Sequence, residues 1–538
     1  MTRHHALSGT WRLARIAARA DRVRLALWVV GPGLAMVAVA RGVREMLPDA
    51  MSLAVYGAHM SADPAHRVFH GPGHALSTYG GATIFEGGGF VLPVVALLAV
   101  LTVARATRGQ EDSGLAELVR AGAVARRAPL AAALLVTWAA AVGSGVVVGL
   151  GLVATGLPAA GSAVYGLSVA LAGIVFAVVG ALAAQAASGA RAAGALAGAA
   201  VGLSYLVRGM ADLERAWWNV LSPLGLLQDM RPYAGERLWP AVVVLAVAVA
   251  GTVAAWAFEG RRDLGAGLLP QRPGRVRAEI GLVRLPTAGL TLRLERAPML
   301  GWGAGLGALA FGLGVASSGL VDVTTQGAMV AAWSGTNPTE AFFAYAAALL
   351  AIVASCAGVA CVLRGRRAEA TGLLDLYLAG PLSRVRLVTL RLGVALGTAT
   401  LTLATSALGL AAGRQVAGAV DGTSNPELVG RVGETLALTL VHAPAVWLVV
   451  ALAALAWAVL PRWSGIGWAV PSYTLTVSLV GIVMRLPAWT MSLSPFDHVP
   501  SLPQQSAATW ALPLMAAGAL VVAVVAVRRL RTRDLVPA

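Results

Sequence analysis

The chain has 538 residues and contains no lysine: all 41 of its basic residues are arginine. A Walker A loop needs its lysine to reach the terminal phosphates of a nucleotide, so a standard P-loop ATPase is excluded. Cysteine is nearly absent, with only Cys356 and Cys361. Five residues apart on one helix, they face different ways and are expected as free packing residues without a redox or metal role. Charge is scarce as well. Charged residues make up 12% of the chain against 58% hydrophobic, whereas a soluble domain carries about a quarter charged residues.

In place of charge the chain has apolar runs of membrane-spanning length, which is roughly 20 residues for a helix. Six lie near 25–42, 88–106, 129–155, 163–187, 192–207 and 239–258, and six more near 299–319, 341–363, 386–411, 436–460, 464–484 and 508–527. The run at 192–207 is the weakest, being short and bordered by Arg191 and Arg208. The expected fold is an all-α polytopic membrane protein of about 12 transmembrane helices. Ala38-Val39-Ala40 has the form of a signal-peptidase site, but the basic region before it runs to Arg24, too long for a signal peptide. The first run is therefore expected to remain as a span.

The net charge of +16 is a topology signal. Counted with the N-terminus inside, 31 of the arginines fall on the cytoplasmic side and 10 on the other, which predicts cytoplasmic N- and C-termini in the inner membrane of a bacterium. They are dispersed among hydrophobic spans and form no single basic face, so nucleic acid is not an expected partner. Residues 9–24 read as an interfacial helix. Arg12, Arg15, Arg19 and Arg22 recur at three- and four-residue spacing, while Trp11, Leu13, Ile16 and Val23 supply apolar contacts.

The most informative feature is a repeat. Residues 108–126 read RGQEDSGLAELVRAGAVAR and residues 366–384 read RRAEATGLLDLYLAGPLSR, 258 positions later. Eight of nineteen paired positions are identical: Arg108/Arg366, Glu111/Glu369, Gly114/Gly372, Leu115/Leu373, Leu118/Leu376, Ala121/Ala379, Gly122/Gly380 and Arg126/Arg384. Glu117/Asp375 is a near-match. Chance identities in so alanine- and leucine-rich a chain would fall on those two residues, yet here charges and glycines recur. A period this long means a duplicated domain. Two tryptophan-bearing segments add to it: Trp217 with Leu221-Ser222-Pro223, and Trp489 with Leu493-Ser494-Pro495. Arg262-Asp263-Leu264 also matches Arg533-Asp534-Leu535 weakly. The repeats keep their order, so the halves are expected as parallel six-helix repeats. The expected organisation is a first half over 1–258, a cytoplasmic linker over 259–283 and a second half over 284–538.

On one continuous helix, Glu111, Gly114, Leu115, Leu118 and Gly122 would share a stripe, with Arg108 one turn before Glu111. A carboxylate on an apolar stripe is costly unless paired, so a local Arg–Glu pair is expected. Ser383 is placed to cap the following span. Two readings of the motif stay open from the residues alone: solvated inner loops serving topology, or a docking helix that receives force from a cytoplasmic partner.

The pattern Arg-x-x-Glu-x-x-Gly-x-x-[Glu/Asp]-Leu-x-x-Ala, then Arg, followed by a span, resembles the inner loop of ATP-binding-cassette type-2 permeases. The doubled form resembles the fused two-half permeases of polyketide (tetronasin-type) antibiotic exporters, and Tyr79-Gly80-Gly81 before the second span fits that group. The resemblance implies type-2 exporter architecture, with coupling helices that sit on separate ATPase subunits. Carried over, Arg108, Glu111, Gly114, Glu117 and Arg126, with Arg366, Glu369, Gly372, Asp375 and Arg384, become the elements coupled to the ATPase. The first copy ends Ala123-Val124-Ala125-Arg126 where the family usually has Pro-x-Ser-Arg. The implied complex is one permease with two copies of an ABC ATPase, ATP and magnesium being held by that partner and no cofactor by this chain. The cargo implied is a hydrophobic or amphipathic small molecule, such as a polyketide antibiotic or other drug, moved out of the cell, with membrane lipid as a further partner.

Other functions compete with that one. A proton-coupled secondary multidrug transporter also has twelve helices in two halves, but it usually needs a buried acid. No Asp or Glu falls mid-span, and His442 is the clearest intramembrane titratable group, read either as a packing residue or as a proton relay. Lipid or glycolipid export stays open. A membrane enzyme would need a constellation of catalytic groups. The only cluster is His59, His66, His70 and His74, whose helical spacing is interrupted by Gly71, Pro72 and Gly73. No catalytic or metal-binding residue is assigned. The segments holding Trp217, Pro223, Trp489 and Pro495 are read either as outer-gate helices or as interfacial anchors.

Overall fold

The computed structural model describes residues 7–62, 70–122, 124–214, 217–263, 265–269, 286–317, 338–380, 382–420, 431–480, 487–500 and 510–534. Every regular element among them is helical. This is what a lipid solvent requires, because only internally satisfied backbone is tolerated in the hydrocarbon. Eleven of the helices are long and apolar enough to cross a membrane. The predicted span over 464–484 corresponds to a short helix, Ala469–Val480, and its last residues lie outside the described ones. The chain divides into two compact units, Met1–Arg275 and Val276–Ala538.

In the first unit, α1 (Thr10–Ala20) precedes α2 (Arg22–Met46) and α3 (Ala50–Ala62). Trp11 and Ile16 are exposed on α1 among its arginines, the arrangement of an interfacial helix. The helix ends at Asp21 rather than running to Arg24. There Asp21 accepts from Arg105 Nη2 at 2.7 Å, tying the start of α2 to the end of the second span. That second span begins as α4 (Tyr79–Thr83), widens into a π-helical turn (Ile84–Gly88) and continues as α5 (Gly89–Ala106). The short helices α6 (Arg108–Asp112) and α7 (Leu115–Arg120) follow, then α8 (Ala128–Ala154), α9 (Ala159–Ala186), α10 (Ala190–Glu214), α11 (Pro223–Gln228) and α12 (Trp239–Glu259).

Helix α9 is the centre of this unit, packed against α5, α8, α10 and α12. Close approach explains its glycines. A Cβ on Gly145 of α8 would stand 2.3 Å from the carbonyl oxygen of Gly166 on α9. With no hydrophobic drive between helices in lipid, such backbone-to-backbone packing supplies the cohesion.

In the second unit, α13 (Pro286–Ala316) and α14 (Pro338–Ala370) lead to the short α15 (Leu373–Leu378). They are followed by α16 (Arg384–Val420), α17 (Val432–Leu440), α18 (Ala443–Val459), α19 (Ala469–Val480), α20 (Ala488–Ser492) and α21 (Ala511–Thr532). Helix α13 is continuous where the first unit breaks at Asp21. Its Glu295 is ion-paired with Arg364 of α14 at 2.6 Å. Cys356 and Cys361 lie free on α14, the second of them buried.

Candidate functional site

The repeated motif does not form the single helix that its apolar stripe suggested. In both copies the chain turns at the shared glycine, with φ of 75° at Gly114 and 72° at Gly372. That left-handed backbone suits glycine and costs any other residue about 1 kcal/mol or more. The break splits each copy into two parts with different roles. The part before the glycine carries the Glu together with a buried Arg, Arg108 or Arg366, while the part after it is a short exposed helix.

Glu111 is held by arginines from two directions. Arg108, one turn before it and fully buried, donates from Nη1 at 2.8 Å. Arg262, just beyond the end of α12, embraces the carboxylate from the other side, Nη2 to Oε1 at 2.5 Å and Nη1 to Oε2 at 3.0 Å. The Gly265 amide adds a further donor at 3.2 Å. Arg108 also donates from Nε to the Ala184 carbonyl, near the end of α9, and from Nη2 to Ala266 at 2.8 Å. Arg126 completes the group by donating to the Arg262 carbonyl at 2.7 Å and the Glu259 carbonyl at 3.2 Å.

The second unit repeats this construction. Glu369, with no exposed side-chain surface, accepts from Arg533 at 2.7 and 2.9 Å and lies 3.5 Å from Arg366. Arg366 Nε donates to the Pro461 carbonyl, just past α18, at 2.8 Å. Arg384 donates to the Arg533 carbonyl at 3.1 Å, as Arg126 does to Arg262. One feature is new: the Trp457 indole donates to Glu369 at 2.6 Å. The local Arg–Glu pairs were expected. The second arginine of each clamp was visible only as a weak end-of-repeat match, with nothing to show that it reaches the motif.

Two-pronged pairing of guanidinium with carboxylate is the strongest form of such a bond. Here it joins the ends of three helices in each unit, so the glutamates act within the unit. The surface beyond the glycine is carried by other residues. On α7, Leu115, Glu117 and Leu118 are exposed, and on α15 so are Leu373, Asp375 and Leu376. Leu118 and Leu376 are each 73% exposed. Each unit thus presents an apolar knob with one acidic residue, seated on a clamped base. Ser383 caps the span after the second copy, accepting from the Arg386 amide at 3.3 Å.

The tryptophan-bearing segments also share local chemistry. Ser222 accepts from the Gly225 amide at 3.2 Å with Pro223 opening α11. Ser494 accepts from the Phe496 amide at 3.2 Å with Pro495 opening a 3-10 turn. The repeated Ser-Pro is therefore a helix start, proline being suited to the first turn and serine to the cap. Trp217 and Trp489 are exposed, as interfacial anchors would be.

Sequence reasoning missed the buried ion pairs at the span ends away from the motifs. In the second unit Glu340 accepts from Arg414 and Arg431, each at 2.8 Å. In the first, Arg208 lies 3.9 Å from Asp212, which accepts from Asn219 at 3.1 Å. His442 is buried, donating from Nδ1 to the Leu438 carbonyl at 3.1 Å. His70 and His74 line one cavity. His66 and the His59 side chain lie outside the described residues, among which no group of three His, Cys, Asp or Glu could hold a metal.

Fold and site together define a multi-pass helical membrane protein whose two units carry matching arginine–glutamate clamps. Comparison with known proteins gives its family. Residues 286–531 match the family model described as the C-terminal domain of the multidrug efflux system permease Rv1217c. The multidrug efflux system permease protein Rv1217c of Mycobacterium tuberculosis (strain ATCC 25618 / H37Rv) is 36% identical over 506 residues, covering 92% of this chain and 89% of that protein. The chain belongs to this family of multidrug efflux system permeases.

Proposed function

We propose that the chain is the membrane-spanning subunit of an ATP-driven drug exporter of the ATP-binding-cassette type-2 class. Each of its two knobs receives one copy of a separate ATPase. The observation that carries this reading is the pair of exposed Leu–acid–Leu surfaces, Leu115-Glu117-Leu118 and Leu373-Asp375-Leu376, on clamped bases. Exposed leucines on a short polar-rimmed helix suit insertion into an apolar cleft of a partner. The clamp supplies the stiffness that force transmission needs, because it links the knob's base to the ends of two long helices. In this reading Arg108, Glu111, Arg126, Arg366, Glu369 and Arg384 transmit movement, while Glu117 and Asp375 meet the partner.

The knobs are cytoplasmic, the cargo is a hydrophobic or amphipathic compound, and ATP and magnesium are bound by the ATPase. Membership in the multidrug efflux permease family supports the cargo class. The test is capture of host proteins by the detergent-solubilised chain, followed by an ATPase assay. The wild type should retain an ATPase at two copies per permease. The double variant Leu118→Asp/Leu376→Asp should lose it while inserting and unfolding normally, because both side chains face outward. Retention of the ATPase by that variant, or transport abolished by collapsing the proton gradient with no ATPase recovered, overturns the assignment.

A further inference from the structure

At the end of the first unit away from its motif, three segments enclose a partly open cavity of about 40 Å³. They are the loop around His70–His74, the π-helical turn Ile84–Gly88 and the segment Leu227–Pro232. The volume is room for roughly three waters, or for one carboxylate. Its lining combines apolar Phe85, Leu92 and Leu227 with polar His74, Gln228 and Arg231.

The polar lining is not self-satisfied. His74 Nε2, Gln228 Oε1 and Arg231 Nε are buried without a hydrogen-bond partner. Buried polar atoms are nearly always paired, and each left unpaired costs about 1–3 kcal/mol. Three such atoms around one cavity call for a ligand. The backbone points to the same place. Among the described residues, the only non-glycine positions with positive φ are Ala75, Arg231 and Tyr233. All three flank or line this cavity, and strain of this kind clusters at binding sites. The π-helical turn is a second such mark.

The charge around the cavity selects the ligand. Arg231 is the one permanently charged residue in its lining. Arg231 and Arg237 both act on His74, and burial together with these arginines keeps its imidazole neutral, pushed down to about 4. Two acids lie nearby. Glu86 accepts from the Tyr56 hydroxyl at 2.6 Å, and Asp229 sits in the field of both arginines.

We propose that this cavity binds the carboxylate of an amphipathic organic acid. Arg231 Nε and the His74 Nε2–H donate to the carboxylate oxygens, and Gln228 Oε1 accepts from a hydroxyl of the ligand or a water. The apolar remainder lies along Phe85 and Leu227 and out through the mouth. A donor pair of arginine and imidazole favours an oxyanion over a neutral amide or an amine. The inference concerns binding by the chain itself and does not depend on the ATPase reading.

The test uses the purified full chain, with radiolabelled benzoate as the probe in a bead-based scintillation binding assay at fixed ionic strength. Saturable benzoate binding is expected, displaced by unlabelled benzoate and not by benzylamine or benzamide. Arg231→Asn, which tolerates the positive φ, and His74→Gln should each weaken binding at least tenfold, with a thermal unfolding midpoint above pH 7 no lower than the wild type's. Absence of saturable benzoate binding to the wild type overturns the proposal. So does equal displacement by benzylamine, or unchanged affinity in both variants.

Discussion

Replacing Glu369 with leucine removes one carboxylate and strands two arginines. In the folded second unit Glu369 is fully buried and receives Arg533 at 2.7 and 2.9 Å, Trp457 at 2.6 Å and Arg366 at 3.5 Å. Breaking a buried ion pair from one side costs about 3–5 kcal/mol, because the surviving charge loses its partner in a poor solvent. Replacing both members with apolar residues restores most of that, since the desolvation cost leaves with the charges. The double variant Glu369→Leu/Arg533→Leu should therefore be more stable than Glu369→Leu alone. A double-mutant cycle should give a coupling energy of about 2 kcal/mol or more. The native thiols make this measurable. Cys361 is buried on α14, the helix that carries Glu369, so its reactivity toward a thiol reagent reports opening of the second unit. Glu369→Leu should speed Cys361 modification by about a hundredfold or more, at 1.4 kcal/mol per factor of ten, and the double variant should largely reverse it. Additivity within about 0.5 kcal/mol would refute the idea that Glu369 and Arg533 hold the unit together.

Two further predictions follow from local geometry. Gly114→Ala and Gly372→Ala should each destabilise the motif by about 1–2 kcal/mol, because both glycines have positive φ, whereas Gly122→Ala and Gly380→Ala should be nearly neutral. At those last two positions φ is not positive, and an added methyl would meet the nearest backbone oxygen at 3.5 and 3.6 Å, ordinary contact. Thermal unfolding of the four single variants checks this, and equal losses at all four would sink it. His74 gives a pH dependence. Its folded value lies near 4, below the ordinary 6.5, chiefly through burial and secondarily through Arg231 and Arg237. Between those two values the unfolded chain binds a proton that the folded chain does not, so stability rises with pH there. The contribution is complete above about 6.5 and is lost as pH falls toward 4. Relative to His74→Gln, the wild type should lose stability over that window in denaturant titrations at stepped pH, and parallel curves for the two proteins would remove His74 from the account.

Local chemistry was legible in the residues. Apolar runs set the helices, because a chain with 12% charged residues can satisfy its backbone in lipid only by coiling. The i, i+3 spacing of Arg108 and Glu111 predicted their pair, and Ser383 was recognisable as a cap. These features depend on neighbours within a turn or two. The stripe from Glu111 to Gly122 misled because periodicity records which residues would share a face if the helix continued. It does not record that Gly114 adopts φ 75° and stops it.

That this protein is helical, membrane-spanning and built on a repeated motif follows from its residues, since apolar runs and repetition are properties of the linear chain. The second arginine on each repeated glutamate comes from packing in three dimensions. Arg262 lies 151 residues from Glu111, and Arg533 lies 164 from Glu369. No periodicity spans such distances, and each pair is made by the packing of α12 and α21 within their own units. The cavity beside His74 has the same origin. Its walls come from residues 70–92, 165 and 227–232, and the unpaired atoms on them exist only because three separate segments close around one space.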